Sequence, residues 1–188
     1  MAMNDFGHLP VTPPFDLSST LESGQAHRWQ REGGWYWGVV HGNLIKIRQN
    51  AMALEIYSAP LPPYTLLDTL KNYFRLDDDL SLIYGEINRD PRIDEMIRKY
   101  SGLRLLRQEP WECLVAFICS ATSSIPRIAS NMESIAEAFG DPVSLHNRIR
   151  YTFPPAKKIA AAGEQALRDL RLGFRAKYLI QAATRVAE

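Results

Sequence analysis

The sequence predicts an α+β protein, a twisted antiparallel sheet with helices followed by a part that is all helical. Three observations carry this. Short β-forming runs lie between residues 35 and 57, and tight glycine turns separate them. Beyond Pro60, Pro62 and Pro63 the apolar residues recur at helical instead of strand spacing. From there to the end, helix start and stop signals follow one another.

The strands come first. Gly33-Gly34 marks a turn, and Trp35 to Val40 follows with Trp35, Trp37 and Val39 on one face and Tyr36 and Val40 on the other. Gly42-Asn43 is a second turn, and Leu44 to Arg48 places Ile45 and Ile47 together. Ala53 to Tyr57 makes a third strand. The first helix carries Leu66, Leu67, Leu70, Tyr73 and Phe74 on one side. Asp90-Pro91 starts another, with Asp as cap and Pro in the first turn; its face is Ile93, Met96, Ile97 and Tyr100, and Gly102 ends it. Glu109-Pro110 opens a helix with Leu114, Phe117 and Ile118 inward. Pro126 starts the next, with Ile128, Met132, Ile135 and Phe139 inward and Gly140 as terminator. Residues 141–155 read as loop, 156–170 as a short helix weakened at Gly163. The last helix starts near Phe174 with the stripe Tyr178, Leu179, Ala182, Ala183 and Val186. The boundary falls between 1–108, mixed, and 109–188, helical.

Composition narrows the function. Hydrophobic residues are 46% and charged residues 23% of 188, the balance of a globular protein. No run is long and apolar enough to cross a membrane, and residues 1–14 have no secretory signal, so an intracellular protein is expected. Cys113 and Cys119 are too few for a disulfide framework and fit no common zinc spacing; both read as small core residues. The four histidines are scattered, and Asp77-Asp78-Asp79 reads as a helix cap and solvated turn, so no metal site is expected. Net charge is +1, but nine basic residues face two acidic ones (Glu164, Asp169) between Arg148 and Val186. Such an excess attracts phosphates.

Four segments, in order, resemble one family. They are Phe15-Asp16-Leu17 with Ser23-Gly24-Gln25-Ala26-His27-Arg28-Trp29; Tyr73-Phe74-Arg75-Leu76-Asp77; Gly102 to Leu114 with Phe117-Ile118-Cys119-Ser120; and Leu172-Gly173-Phe174-Arg175-Ala176-Lys177-Tyr178. Together they resemble the 8-oxoguanine DNA glycosylase/AP lyase family of helix-hairpin-helix base-excision enzymes. The resemblance implies a TBP-like N-terminal sheet domain, then part of the helical glycosylase domain. It implies a partner, damaged double-stranded DNA, met by a monomer without metal or organic cofactor. The implied reaction is removal of 8-oxoguanine opposite cytosine, followed by strand nicking through a Schiff base.

The resemblance also implies residue roles. Gly24 matches the lesion-reading glycine. 8-Oxoguanine carries a hydrogen at N7 where guanine has an acceptor, so a backbone carbonyl there attracts the lesion and repels the normal base. Phe174 matches the wedge that fills the hole left by a flipped base. Arg127 and Arg175 match positions that contact the orphaned cytosine, whose pairing edge offers acceptors to a guanidinium. Thr122 stands in Thr122-Ser123-Ser124 where the family commonly has an asparagine-rich run, so weaker or water-mediated recognition of the opposite base is expected. Gln25, Arg28 and Trp29 are expected to support their loop.

The family's lysine nucleophile and nearby aspartate lie in a hairpin with no counterpart here, and none of the lysines matches. The chain therefore reads as the first portion of a glycosylase, inactive by itself in cleavage. Two alternatives remain open, a non-catalytic damaged-DNA-binding module and a glycosylase for alkylated bases.

Overall fold

The computed structural model describes residues 6–188. The expectation for residues 1–14 thus falls partly, at 1–5, outside the described residues. The chain forms two compact units. Of the described residues, one holds 6–26, Arg31–Trp37 and Ile45–Arg107; the other holds His27–Gln30, Gly38–Leu44 and Gln108–Glu188. The division by sequence alone took no account of the two short N-terminal segments that join the second unit.

The sheet has five strands, β1 (Gly7–Pro10), β2 (Gln30–Glu32), β3 (Trp35–Val40), β4 (Asn43–Gln49) and β5 (Ala53–Ala59), in the order β1-β5-β4-β3-β2. β1 lies antiparallel to β5, with Gly7 opposite Ile56 and Pro10 opposite Ala53. β3 and β4 are joined by His41-Gly42, both at positive φ (45° and 75°), the backbone of a two-residue hairpin turn. β1 and β2 were not expected, because strands of four and three residues carry too little alternation to read. In the first unit Lys46 lies over Trp35 (4.6 Å), Trp37 (5.3 Å) and Tyr57 (5.3 Å) on one sheet face. Ile45, Ile47, Leu54 and Ile56 are fully buried.

The helices of this unit are α1 (Leu17–Glu22), α2 (Leu67–Tyr73, after a 3-10 turn at Pro63–Thr65), α3 (Leu80–Ile87) and α4 (Pro91–Lys99). Leu66, Leu70, Tyr73 and Phe74 are buried as expected, with Phe74 edge-on to Phe15 at 6.0 Å. Asp90 caps α4 by accepting from the N–H groups of Arg92 (2.8 Å) and Ile93 (3.1 Å). Asp79 caps α3 through Leu82 N–H (3.0 Å), whereas Asp77 pairs with Arg107 (2.8 Å), which holds its carboxyl below the usual range. The expected α4 face is not buried. With Leu80, Ile83, Tyr84 and Ile87 of α3 it lines an open apolar hollow of about 550 Å3.

The second unit contains α5 (Pro110–Ser120), α6 (Ile125–Phe139), β6 (Pro142–Leu145), β7 (Arg148–Tyr151), α7 (Ala156–Asp169) and α8 (Arg175–Ala187). Its core joins Val115 and Cys119 of α5, Ile128, Met132 and Ile135 of α6, Ile159 and Leu167 of α7, and Leu179 and Ala183 of α8. Three expectations fail here. First, Leu114 and Phe117 point outward, Phe117 at 75% exposure, and Cys113 is exposed with them. Trp111, Val115, Ile118 and Cys119 form the packing side instead. Second, residues 142–151 form an antiparallel hairpin, not a loop, turning at His146-Asn147 with φ 47° and 64°. Third, Tyr178 and Val186 of the expected α8 stripe are exposed, at 56% and 52%. At Gly163, where the sequence weakens the helix, the backbone has φ 81° and kinks.

Arg28 lies inside this unit and supports it. Its Nε and the Nη2 of Arg150 both donate to Oε1 of Glu133 at 2.8 Å, and Glu112 is 3.7 Å from its Nη1. Trp29 covers Gly38 so closely that a Cβ there would meet the indole at 2.5 Å.

Candidate nucleic-acid interface

In the first unit, Gly24 sits at the end of α1 with φ 82°, a left-handed conformation that favours glycine. The next side chain holds it. Gln25 Nε2 faces the carbonyls of Thr20 (3.0 Å) and Arg104 (2.8 Å) and the Ser23 hydroxyl (2.9 Å). Its Oε1 accepts from Leu106 N–H (2.8 Å). The Thr20 hydroxyl accepts from Arg104 N–H (3.1 Å), tying the same two segments again. One amide therefore uses both its donor and its acceptor side to fix the loop. The expected supporting role of Gln25 is what the geometry has.

In the second unit, two loops come together. Thr122 lies between α5 and α6, exposed, with φ 52°. Arg127 follows in the first turn of α6, also exposed. Phe174 ends the α7–α8 loop with 52% of its surface open. Arg175 is turned inward and is 5% exposed. Its Nε donates to the Ala121 carbonyl (2.8 Å), and one Nη reaches the carbonyls of Ala121 and Thr122, the latter at 2.9 Å. The other Nη is 3.4 Å from the Leu172 carbonyl, and the guanidinium carbon lies 4.7 Å from the Phe174 ring centre. In this structure Arg175 fastens one loop to the other, and its donors are engaged with backbone. That differs from the expectation of an arginine offered to a base, because the carbonyls of Ala121 and Thr122 take up its donors. Arg127 remains the arginine presented at the surface.

Beside these loops is a polar hollow of about 400 Å3 with Arg127, Ser130, Asn131 and Ser134 of α6 on one side and Asp169 and Arg171 on the other. Asn131 and Arg171 were not singled out by sequence, because neither belongs to a motif. Only Asn131's place four residues after Arg127, on the same helix face, was legible. Cys119 is fully buried, and burial pushes its thiol up to about 11. It is a packing residue and not a nucleophile. Among the described residues no cluster of His, Cys, Asp or Glu is suited to a metal ion. No described helix is long and apolar enough to cross a membrane.

The fold is that of 8-oxoguanine glycosylase/lyases. MBOgg1, solved with a low-affinity DNA ligand, is 33% identical over 99% of this chain and 64% of its own, with a TM-score of 0.91. The Clostridium acetobutylicum 8-oxoguanine glycosylase/lyase, solved with double-stranded DNA containing cytosine opposite 8-oxoG, is 30% identical over 92% and 59%, with a TM-score of 0.85. Residues 8–114 match the 8-oxoguanine DNA glycosylase N-terminal domain, and the chain belongs to that family. The N-glycosylase/DNA lyase OGG1 of Arabidopsis thaliana is 27% identical over 92% of this chain, and the N-glycosylase/DNA lyase of Saccharomyces cerevisiae 36% over 62%. The chain spans 47% and 32% of those two relatives' lengths.

Proposed function

We propose that this chain is the lesion- and partner-reading portion of an 8-oxoguanine DNA glycosylase/AP lyase acting in base-excision repair. The observation that carries this is the pair of loops fastened by Arg175, which leaves Phe174 and Arg127 exposed on a fixed base. An apolar ring held outward can replace the stacking of a flipped nucleotide. Arg127 offers donors to N3 and O2 of the orphaned cytosine, and Thr122 lies on the fastened loop that leads into its helix. Arg175 acts one step back, as a positioning residue. The Gly24 carbonyl, on a loop held by Gln25, accepts the N7 hydrogen that marks the lesion. Bond cleavage and nicking belong to a lysine and an aspartate outside the motifs matched here, so residues 1–188 bind without cutting. The working form on DNA is a monomer, in a compartment that contains DNA.

The test is equilibrium binding of the 188-residue chain to duplexes that differ at one base. An 8-oxoguanine·cytosine duplex should bind more tightly than guanine·cytosine. Phe174→Ala should weaken binding by about tenfold, the scale of one stacking contact. Equal affinity for the two duplexes would remove the reading. A preference for 3-methyladenine would move it to alkylated bases.

A further inference from the structure

One face of the five-stranded sheet buries Ile45, Ile47, Leu54 and Ile56. Alternation along the strands sends Trp35 of β3, Lys46 and Arg48 of β4, and Tyr57 of β5 to the other face. Phe6, just before β1 and 40% exposed, extends this set at one side. Its ring centre is 5.2 Å from that of Tyr57, and Tyr57 is 5.6 Å from Trp35. The planes are tilted by 49° and 56°, so the three rings form an open row across the sheet and not a closed stack.

Lys46 stands on the strand between Tyr57 and Trp35, with its ammonium 4.6 Å from the Trp35 ring centre and 5.3 Å from that of Tyr57. The rings attract the charge without cancelling it. The nearby carboxylate of Glu55 is taken by Arg48 and by Asn50 Nδ2 (3.0 Å), and among the described residues Lys46 has no ion pair. Arg48 is exposed and lies 4.3 Å over Trp35. Two residues of an antiparallel strand advance about 7 Å, so Lys46 and Arg48 are spaced like neighbouring phosphates of an extended nucleic-acid strand. Rings in a row beside cations suit a partner with flat rings joined by anions. A duplex does not offer that, because its base faces are stacked inside.

We propose that this sheet face binds single-stranded nucleic acid, with bases stacking on Phe6, Tyr57 and Trp35 and phosphates held by Lys46 and Arg48. This binding is separate from the reading of a lesion by Gly24, Arg127 and Phe174, and does not depend on it.

The test is fluorescence anisotropy of a labelled oligothymidylate titrated with the whole chain at several salt concentrations. The unaltered chain should bind it, with affinity falling as salt rises. Lys46→Met keeps the stem that packs on the rings and removes the charge. It should reduce the slope of log affinity against log salt by about 0.7, the share of one phosphate on a single strand. Tyr57→Leu keeps an apolar side chain and removes a stacking plane. It should weaken binding about tenfold with the slope unchanged. Inorganic polyphosphate at equal phosphate concentration should compete poorly with the oligonucleotide. Both variants should keep whatever preference the unaltered chain shows for an 8-oxoguanine·cytosine duplex over guanine·cytosine, which keeps this test apart from that of the lesion-reading function. The proposal fails if the unaltered chain does not bind oligothymidylate at low salt. It fails if both variants bind as the unaltered chain does, since another surface then holds the strand. It also fails if polyphosphate displaces the strand as well as unlabelled oligothymidylate does, since the rings then contribute nothing. If either variant does not fold, binding by the unaltered chain and the polyphosphate competition decide.

Discussion

Three loops of this protein are fastened by two principal side chains, and the holders differ in kind. The Gly24 loop is held by Gln25, a neutral amide that both donates and accepts. The loops carrying Thr122 and Phe174 are held by Arg175, a buried cation whose partners are carbonyls. The difference teaches how a fastener suits the surface it supports. In the function we propose, the distinction at Gly24 rests on the polarity of one backbone carbonyl, and a charge beside it would swamp that distinction. Beneath Phe174 a positive charge favours an anionic partner, so a cation serves as fastener and as attraction.

The comparison can be broken by removing each holder. Arg175→Ala should have the largest effect, about 2–4 kcal/mol, because it strips charged hydrogen bonds from three carbonyls. Urea denaturation measures it. Arg175→Lys should recover less than half of that loss, since a point ammonium cannot span the same carbonyls. Gln25→Ala should cost less, about 1–3 kcal/mol, by freeing the Leu106 N–H and the Arg104 carbonyl. Gly24→Ala should cost about 1–2 kcal/mol through its positive φ alone.

The smallest effect concerns pH and separates both holders from the ion cluster around Arg28. Burial pushes the Glu112 carboxyl up to about 7; Arg28 opposes the shift, while Glu133 and Glu109 add to it. Because the folded value is raised, the folded state binds more protons than the unfolded one between the ordinary carboxylate range and 7. Stability from this group is present below that window and is lost as pH rises through it. Glu112→Gln should flatten that slope in denaturation midpoints taken from pH 5 to 8, while Gln25→Ala should leave it in place.

Much of the fold was legible where the determinants are local. Asp90-Pro91 caps a helix by its own side chain, and Gly163 kinks one through its own φ. The α6 stripe was clear because polar residues separate Ile128, Met132 and Ile135. α5 was not, since it is apolar almost all round and periodicity cannot choose the buried side. The 142–151 hairpin was hidden by Pro142, which sits at the first residue of its strand, and by a His-Asn turn in place of a glycine signal. At the candidate site, the motifs singled out Gly24, Thr122, Arg127 and Phe174 as residues to find. They did not tell that Arg175 turns inward, because two of its three carbonyl partners, Ala121 and Thr122, lie more than fifty residues away in sequence. Asn131, Asp169 and Arg171 are likewise joined only by folding.

The most direct measurement of the difference between the two holders is binding of the chain to four duplexes, 8-oxoguanine or guanine opposite cytosine or adenine. Arg175→Lys should reduce the preference for cytosine over adenine and leave the preference for 8-oxoguanine over guanine unchanged. Gln25→Ala should do the reverse. If both variants lose both preferences in equal proportion, the loops are not separately held, and the division of reading between Gly24 and the Arg127–Phe174 surface is wrong.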